Sequence, residues 1–176
     1  MEKSLRGINL VFGLLLVTVL TFTITNKKFI SLKNTETTDH PPIAVVEKRL
    51  ECLAINIYKE AANEPFEGKV AVAQVTMNRV ESGKFAKDVC AVVYQKNVIM
   101  EKVVCQFSWY CDHAYRSKPV NQKLYDESYE VAKKVMLEGF RLSSMEDALY
   151  YHADYVNPNW KYKRIGKIGS HIFYKG

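Results

Sequence analysis

The sequence contains no internal repeat and, beyond residue 42, no low-complexity stretch, which sets aside solenoid and array architectures. It has no HExxH or comparable short histidine pair, so a zinc peptidase would have to gather ligands such as His113, His152 and His171 from separate segments. No nucleic-acid-binding motif accompanies the densest basic group, Lys161, Lys163, Arg164 and Lys167, and no nucleic-acid partner is expected. The net charge of +6 falls to +4 over residues 40–176 (20 Lys and Arg, 16 Asp and Glu). So mild an excess suits an anionic polymer or surface without identifying one.

What is present describes one folded domain with a short appendage. A chain of 176 residues is too short for two independent cores. Its 48% apolar and 25% charged residues, with 11 Tyr and 8 Phe, supply the buried area that a disordered chain lacks. Residues 8–24 form a charge-free apolar run preceded by Lys3 and Arg6, which reads as an export signal or a membrane span over residues 1–25. No small-x-small cleavage pattern follows at 21–26, which favours an uncleaved signal-anchor holding the rest of the chain outside the cytoplasm. Lys27, Lys28 and Lys33 after the run pull against that orientation. Residues 26–42 are polar and without apolar periodicity, as a linker would be, and the domain is expected to occupy 43–176. Four cysteines behind an export signal, Cys52, Cys90, Cys105 and Cys111, suggest two disulfides. Three pairings are possible: Cys105 and Cys111 are near enough in sequence to close a small loop, leaving Cys52 with Cys90. Four free buried thiols are the alternative.

Apolar periodicity predicts a helix over 43–63 with Val46, Leu50, Leu53, Ile57 and Ala61 on one stripe, stopped by Pro65. A Val/Ala run at 67–82 reads as a second helix and 84–94 as a shorter one. Residues 95–120 read as a long irregular loop pinned by cysteines. An amphipathic helix follows at 121–138, capped by Asn121 and ended by Gly139. Segments 148–156 and 165–174 suit strands or a hairpin around Asn157-Pro158. The sum is a mostly helical α+β domain with a small β-hairpin.

One residue does not fit its surroundings. At 100° per residue Glu60 lies about 20° from Leu53 and about 60° from Ile57 on the first helix, so its carboxylate projects from the apolar stripe. Desolvation and the negative helix end both raise a carboxyl's pKa, which is what a general acid needs at neutral pH. A structural glutamate paired with a buried arginine has the same pattern. Glu64 and Glu67, in the turn around Pro65, are candidates for a second carboxylate, and acidic residues are also common there as caps.

The order of segments carries a resemblance: AINIYKEAANEPFEGKVAVAQVTMNRV at 54–80, FAKDVCAVVYQ at 85–95, CQFSWYCD at 105–112, ALYYHADYVNPNW at 148–160 and IGSHIFY at 168–174. Together they resemble the SleB-type cell wall hydrolases across residues 52–174. The resemblance implies a lysozyme-like fold related to the lytic transglycosylases, with Glu60 at the position of the family's acid/base glutamate. Where the family usually has Arg-Gly between its two glutamates, this chain has Ala62-Asn63. The implied chemistry is cleavage between N-acetylmuramic acid and N-acetylglucosamine in peptidoglycan, with Glu60 donating a proton and then accepting one, so that a 1,6-anhydro end forms without a second carboxylate.

The same resemblance makes Gln106, Ser108 and Trp109 one lining of the groove and Tyr150, Tyr151 and His152 its far wall, with Asn157 and Trp160 beside it and Glu64 in reach of substrate. Phe107 reads as core, and His171 as a structural histidine more than a catalyst. The expected partners are peptidoglycan and, through residues 8–24, the inner membrane, with the domain exported to the periplasm or cell envelope. No metal or cofactor is expected, and a monomer is. Two rivals stand beside this reading: a tethered peptidoglycan-binding protein without catalysis, and an amidase or peptidase using His and Cys residues, for instance Cys105 with His152 or His171.

Overall fold

The computed structural model describes residues 41–176. The apolar run at 8–24 and nearly all of the linker lie outside these residues, and with them the expected anchor. Among the described residues no helix is long and apolar enough to cross a membrane.

Three helices build the main core. The stripe read at 43–63 becomes α1, Ile43–Ala61, and buries Leu50, Leu53, Ile57 and Ala61. The Val/Ala run becomes α2, Phe66–Glu81, in which every residue from 68 to 76 is buried. A helix enclosed on all sides shows no clean apolar stripe, and this is why its period is weak in the sequence. The amphipathic segment is labelled α6 below, Gln122–Met136; the Asn121 side chain accepts from Leu124 N at its start, and Gly139 takes φ +70° just past its end. Val131, Ala132 and Val135 of α6 pack with Leu53, Ala54 and Ile57 of α1 and with Val70 and Ala73 of α2.

Between α2 and α6 the structure departs from expectation. The helix read at 84–94 shortens to α3, Val89–Val93, because Asp88 is its N-cap: at φ −138° it is extended, and its carboxylate accepts from the amides of Cys90 and Ala91. The long loop read at 95–120 is largely regular. It holds an antiparallel hairpin, β1 (Lys96–Ile99) and β2 (Lys102–Cys105), and two single-turn helices, α4 (Ser108–Cys111) and α5 (His113–Arg116). Met100 and Glu101 at the hairpin tip both take positive φ, +48° and +64°, as a two-residue turn of this hand requires, but without the Asn or Gly that advertises one. Disulfides join Cys52 to Cys90 and Cys105 to Cys111, tying α1 to α3 and the end of β2 to α4.

The C-terminal segment forms a three-stranded antiparallel sheet of β3 (Ala148–Ala153), β4 (Arg164–Ile168) and β5 (His171–Lys175) in the order β3-β5-β4. The hairpin expected around Asn157-Pro158 is therefore absent: residues 154–163 are a crossing connection, and the tight turn is Gly169-Ser170 between β4 and β5. Gly169 has φ +57°, and a Cβ there would stand 1.7 Å from a Glu64 carboxylate oxygen, so backbone and packing both demand glycine. The inner face of this sheet, with Phe173 fully buried, closes over Ala71 and Val75 of α2. Burying a phenylalanine of this kind contributes roughly 1.5–3 kcal/mol. The α+β class holds, with more sheet than one hairpin.

Candidate active site

Polar residues of α2 place the edge strand. The Gln74 side chain exchanges hydrogen bonds with the Leu142 backbone, Asn78 Nδ2 donates to Met145 O and Ala148 O, and Arg79 Nε donates to Leu149 O at 2.9 Å. These bonds hold the chain entering β3, and two residues beyond Leu149 the Tyr151 hydroxyl donates to Glu60 Oε2 at 3.0 Å. Glu60 stands on the last turn of α1, half-buried at the wall of a cleft of about 550 Å³. One side of this cleft comes from α1, α2 and the segment Cys105–Trp109. The other comes from Tyr151, His152, Trp160 and His171, and Tyr115 lies near the end of α1. Tyr115 OH donates to Lys59 O, and Lys59 Nζ donates back to Tyr115 O and Arg116 O, which pins α5 against α1 beside Glu60.

Burial raises the Glu60 carboxyl above its ordinary pKa of 4.5, opposed by the Tyr151 hydrogen bond and the charge of Arg79. The residue carries a proton more readily than a surface glutamate, and two neighbours steady it once the proton has gone. Arg79 itself is buried, its guanidinium held 5.2 Å from the Phe85 ring and 5.0 Å from that of Phe107, with Nη1 unpartnered. Desolvation lowers its pKa, and Tyr151, Tyr150 and Glu60 oppose that shift. Among the residues lining the cleft Glu60 is the sole carboxylate.

The structure sorts the other expected residues. Gln106 and Ser108 line the cleft, and among the described residues neither side chain is hydrogen-bonded. Trp109 lines it too, but at 4% exposure it is a core residue: its indole N–H donates to Asn56 Oδ1, and Asn56 Nδ2 in turn donates to Thr76. The expectation of an indole stacking on sugar there is corrected, since its faces are already packed. Tyr151 and His152 border the cleft. Tyr150 does not; its ring stacks on Tyr162 at 4.3 Å. Glu64 is likewise absent from the lining, its carboxylate accepting from Ser170 N at 2.9 Å and so clamping the β4–β5 turn to the end of α1. The Ala62-Asn63 departure lies in the tight turn that brings Glu64 there, with Glu64 N donating to Ala61 O. His171 is buried in the wall with Nδ1 unpartnered, and burial lowers its pKa. Trp160 stands at the rim as expected, whereas Asn157 is not among the lining residues.

Arg79, Tyr115 and Lys59 were not anticipated. Arg79 carried a signal of the kind used for Glu60, a charged side chain one helical turn from Val75 and two from Val72, on their side of the helix. Lys59 and Tyr115 meet only because α5 folds back, which no spacing discloses. All four cysteines are in disulfides, so the described residues offer no thiol nucleophile. They also contain no group of three His, Cys, Asp or Glu placed to share a metal. A second, more apolar groove of about 830 Å³ runs between α2 and α6, but Glu127 there is paired with Lys69 at 2.9 Å and held below its ordinary pKa. It has no group poised like Glu60.

Residues 63–174 match a family described as Cell Wall Hydrolase. The chain belongs to the SleB-type cell wall hydrolases. Two spore cortex-lytic enzymes are similar to it: that of Bacillus cereus, 29% identical over 76% of this chain and 47% of the relative, and that of Bacillus subtilis, 30% identical over 70% and 36%. The chain thus spans about half or less of these curated relatives. Among solved structures, the catalytic domain of the Bacillus cereus SleB protein is 25% identical with a TM-score of 0.55, covering 81% of this chain and 98% of that one. The catalytic domain of a germination-specific lytic transglycosylase, SleB from Bacillus anthracis, is 26% identical with a TM-score of 0.57, covering 77% and 100%. The family match begins three residues after Glu60, so the argument for that residue rests on its geometry.

Proposed function

We propose that the domain cleaves peptidoglycan glycan strands as a lytic transglycosylase, with Glu60 as its single acid/base. The observation that carries this is a lone carboxylate of raised pKa in a cleft without a second acid. Protonated Glu60 gives its proton to the oxygen joining N-acetylmuramic acid to N-acetylglucosamine; the bond from C1 breaks, and positive charge develops on the muramic ring. The Glu60 carboxylate, steadied by the Tyr151 hydroxyl and by Arg79, then takes the proton of the muramic 6-hydroxyl as that oxygen closes on C1. The leaving strand keeps the first proton, Glu60 regains one, and a 1,6-anhydro end forms with no net use of water. Gln106 and Ser108 are the free polar groups suited to holding sugar substituents. The Bacillus anthracis relative's description as a lytic transglycosylase supports the same outcome. A substrate of this kind lies outside the cytoplasm, and the apolar run at 8–24 is the part of the sequence suited to taking the domain there, as an inner-membrane anchor.

Mass spectrometry of fragments released from purified sacculi by the full chain tests the reading. Anhydro ends are expected from the natural protein and none from Glu60→Gln. Reducing ends would mean that water attacks instead, and undiminished release by Glu60→Gln would remove the residue from the mechanism.

A further inference from the structure

The outer face of the three-stranded sheet carries a feature that cleavage does not require. Alternation along β3 and β5 turns Tyr150, His152 and Tyr174 away from α2, and the connection 154–163 folds back to lay Trp160 and Tyr162 over them. The Tyr150 and Tyr162 rings are parallel within 2° at 4.3 Å. Trp160 lies 5.4 Å from His152, 5.7 Å from Tyr174 and 6.0 Å from Tyr162. His152 Nε2 and the Tyr174 hydroxyl are also hydrogen-bonded, at 2.9 Å. Although so many rings hold them, Trp160 remains 40% and Tyr162 44% exposed. Rings fixed on one side and bare on the other are preorganised, so a ligand that stacks on them meets little further ordering cost.

The unpaired charge at this surface has one sign. Lys161, Lys163 and Arg164 adjoin the two rings in sequence, are exposed, and make no ion pair among the described residues, while Lys167 of the same run is paired with Asp154 at 2.7 Å. Trp160 also lines the catalytic cleft, so the aromatic surface continues the cleft's wall. The apolar C–H face of a pyranose suits the negative face of an aromatic ring, and exposed cations suit carboxylates carried on the sugars or their peptides.

We propose that this face, centred on Tyr162 with Lys161, Lys163 and Arg164, is a second binding surface that holds a distal stretch of the carboxylate-bearing aminosugar strand entering the cleft. The assignment of the ligand rests on the function proposed above. The surface would keep the enzyme on a long strand while leaving short fragments to the cleft alone. Rings and cations together also suit single-stranded nucleic acid; continuity with the cleft favours the glycan.

The test uses Tyr162→Ala, Tyr162→Phe and the pair Lys161→Gln/Lys163→Gln in the full chain; none of the three residues is part of the cleft lining, and Tyr162 reaches it only through its packing against Trp160. Two readouts are taken: binding to purified sacculi in a pelleting assay in the cold, and kcat/KM on a tetrasaccharide of alternating N-acetylglucosamine and N-acetylmuramic acid. Tyr162→Ala is expected to weaken sacculus binding about tenfold, as loss of one stacked ring does, with tetrasaccharide turnover unchanged and Tyr162→Phe restoring binding. The lysine pair is expected to weaken binding and flatten its salt dependence. Unchanged sacculus binding by folded Tyr162→Ala would overturn the proposal. So would an equal fall on both substrates, which would mean that Tyr162 merely supports the cleft, or a single-stranded oligonucleotide that displaces sacculi from the natural protein but not from the lysine pair. Should the natural protein cleave neither substrate, the proposed chemistry fails on its own, and the pelleting arm still decides this surface.

Discussion

Glu60 and Arg79 reach the cleft from α1 and α2, helices whose neighbouring residues are packed in the core. Tyr151, His152 and Trp160 come instead from an edge strand and the half-exposed connection after it. The helical wall is dry, holds the titrating group and fixes it by packing. The opposite wall is aromatic and open, and touches the titrating group through a single hydroxyl. A proton donor gains from a low-dielectric wall, where its charged form is disfavoured, whereas a polymer needs an accessible surface to lie on. The two requirements conflict in one element, and this fold divides them between two.

The comparison breaks most visibly at Glu60. Replacement by Gln keeps the shape and removes the proton, and kcat on sacculi is expected to fall by about 10²–10⁴, the usual contribution of a positioned general acid. Stability should move the other way. Because the folded pKa is raised, the native state binds more protons than the unfolded chain between the ordinary 4.5 and the raised value, so stability falls as pH rises through that window. Glu60→Gln removes this loss and is expected to melt higher than the natural protein at neutral pH and no higher well below pH 4.5. Equal melting temperatures at both would show that Glu60 is not desolvated.

The helical wall was also the part most legible in the sequence. Two of the three long helices, the buried stripe of α1 and the inward glutamate follow from a 3.6-residue period and from caps at Asn121 and Gly139, and α2 from the length of its Val/Ala run, all local signals. The sheet wall was legible only as strands within 148–156 and 165–174, not in how they pair. The order β3-β5-β4 is a choice among non-local pairings, the β1–β2 turn is made by Met100 and Glu101 without a turn residue, and Glu64 is a clamp because of Ser170, 106 positions away. Tyr150 and Tyr151, neighbours in sequence, face opposite ways, and neither identity nor spacing says which faces the acid.

The disulfides sharpen the contrast as a matter of stability. Cys52–Cys90 closes a separation of 38 residues between two core helices, and its removal by paired Ser substitution is expected to cost about 4 kcal/mol in thermal or denaturant unfolding. Cys105–Cys111 closes a separation of only 6, beside the cleft residues Gln106 and Ser108, and its removal is expected to cost about 2 kcal/mol, with a larger effect on KM than on unfolding. The reverse ranking would mean that the cleft segment, and not the helical core, depends on its cross-link.

The smallest expected effect concerns the one hydroxyl that joins the two walls. Tyr151 donates to Glu60 and thereby favours the charged carboxylate, so Tyr151→Phe should raise the Glu60 pKa further and carry the alkaline limb of the kcat/KM profile to higher pH. Its maximal rate should fall only about fivefold, the worth of a hydrogen bond of about 1 kcal/mol to a charge that develops as the proton leaves. Arg79→Met should shift the same limb in the same direction, since the arginine also favours the charged form. It should lose stability as well, because Leu149 O would lose its buried donor. A limb that moves with Arg79 and not with Tyr151 would place control of the proton wholly within the helices, and the sheet would then contribute surface alone.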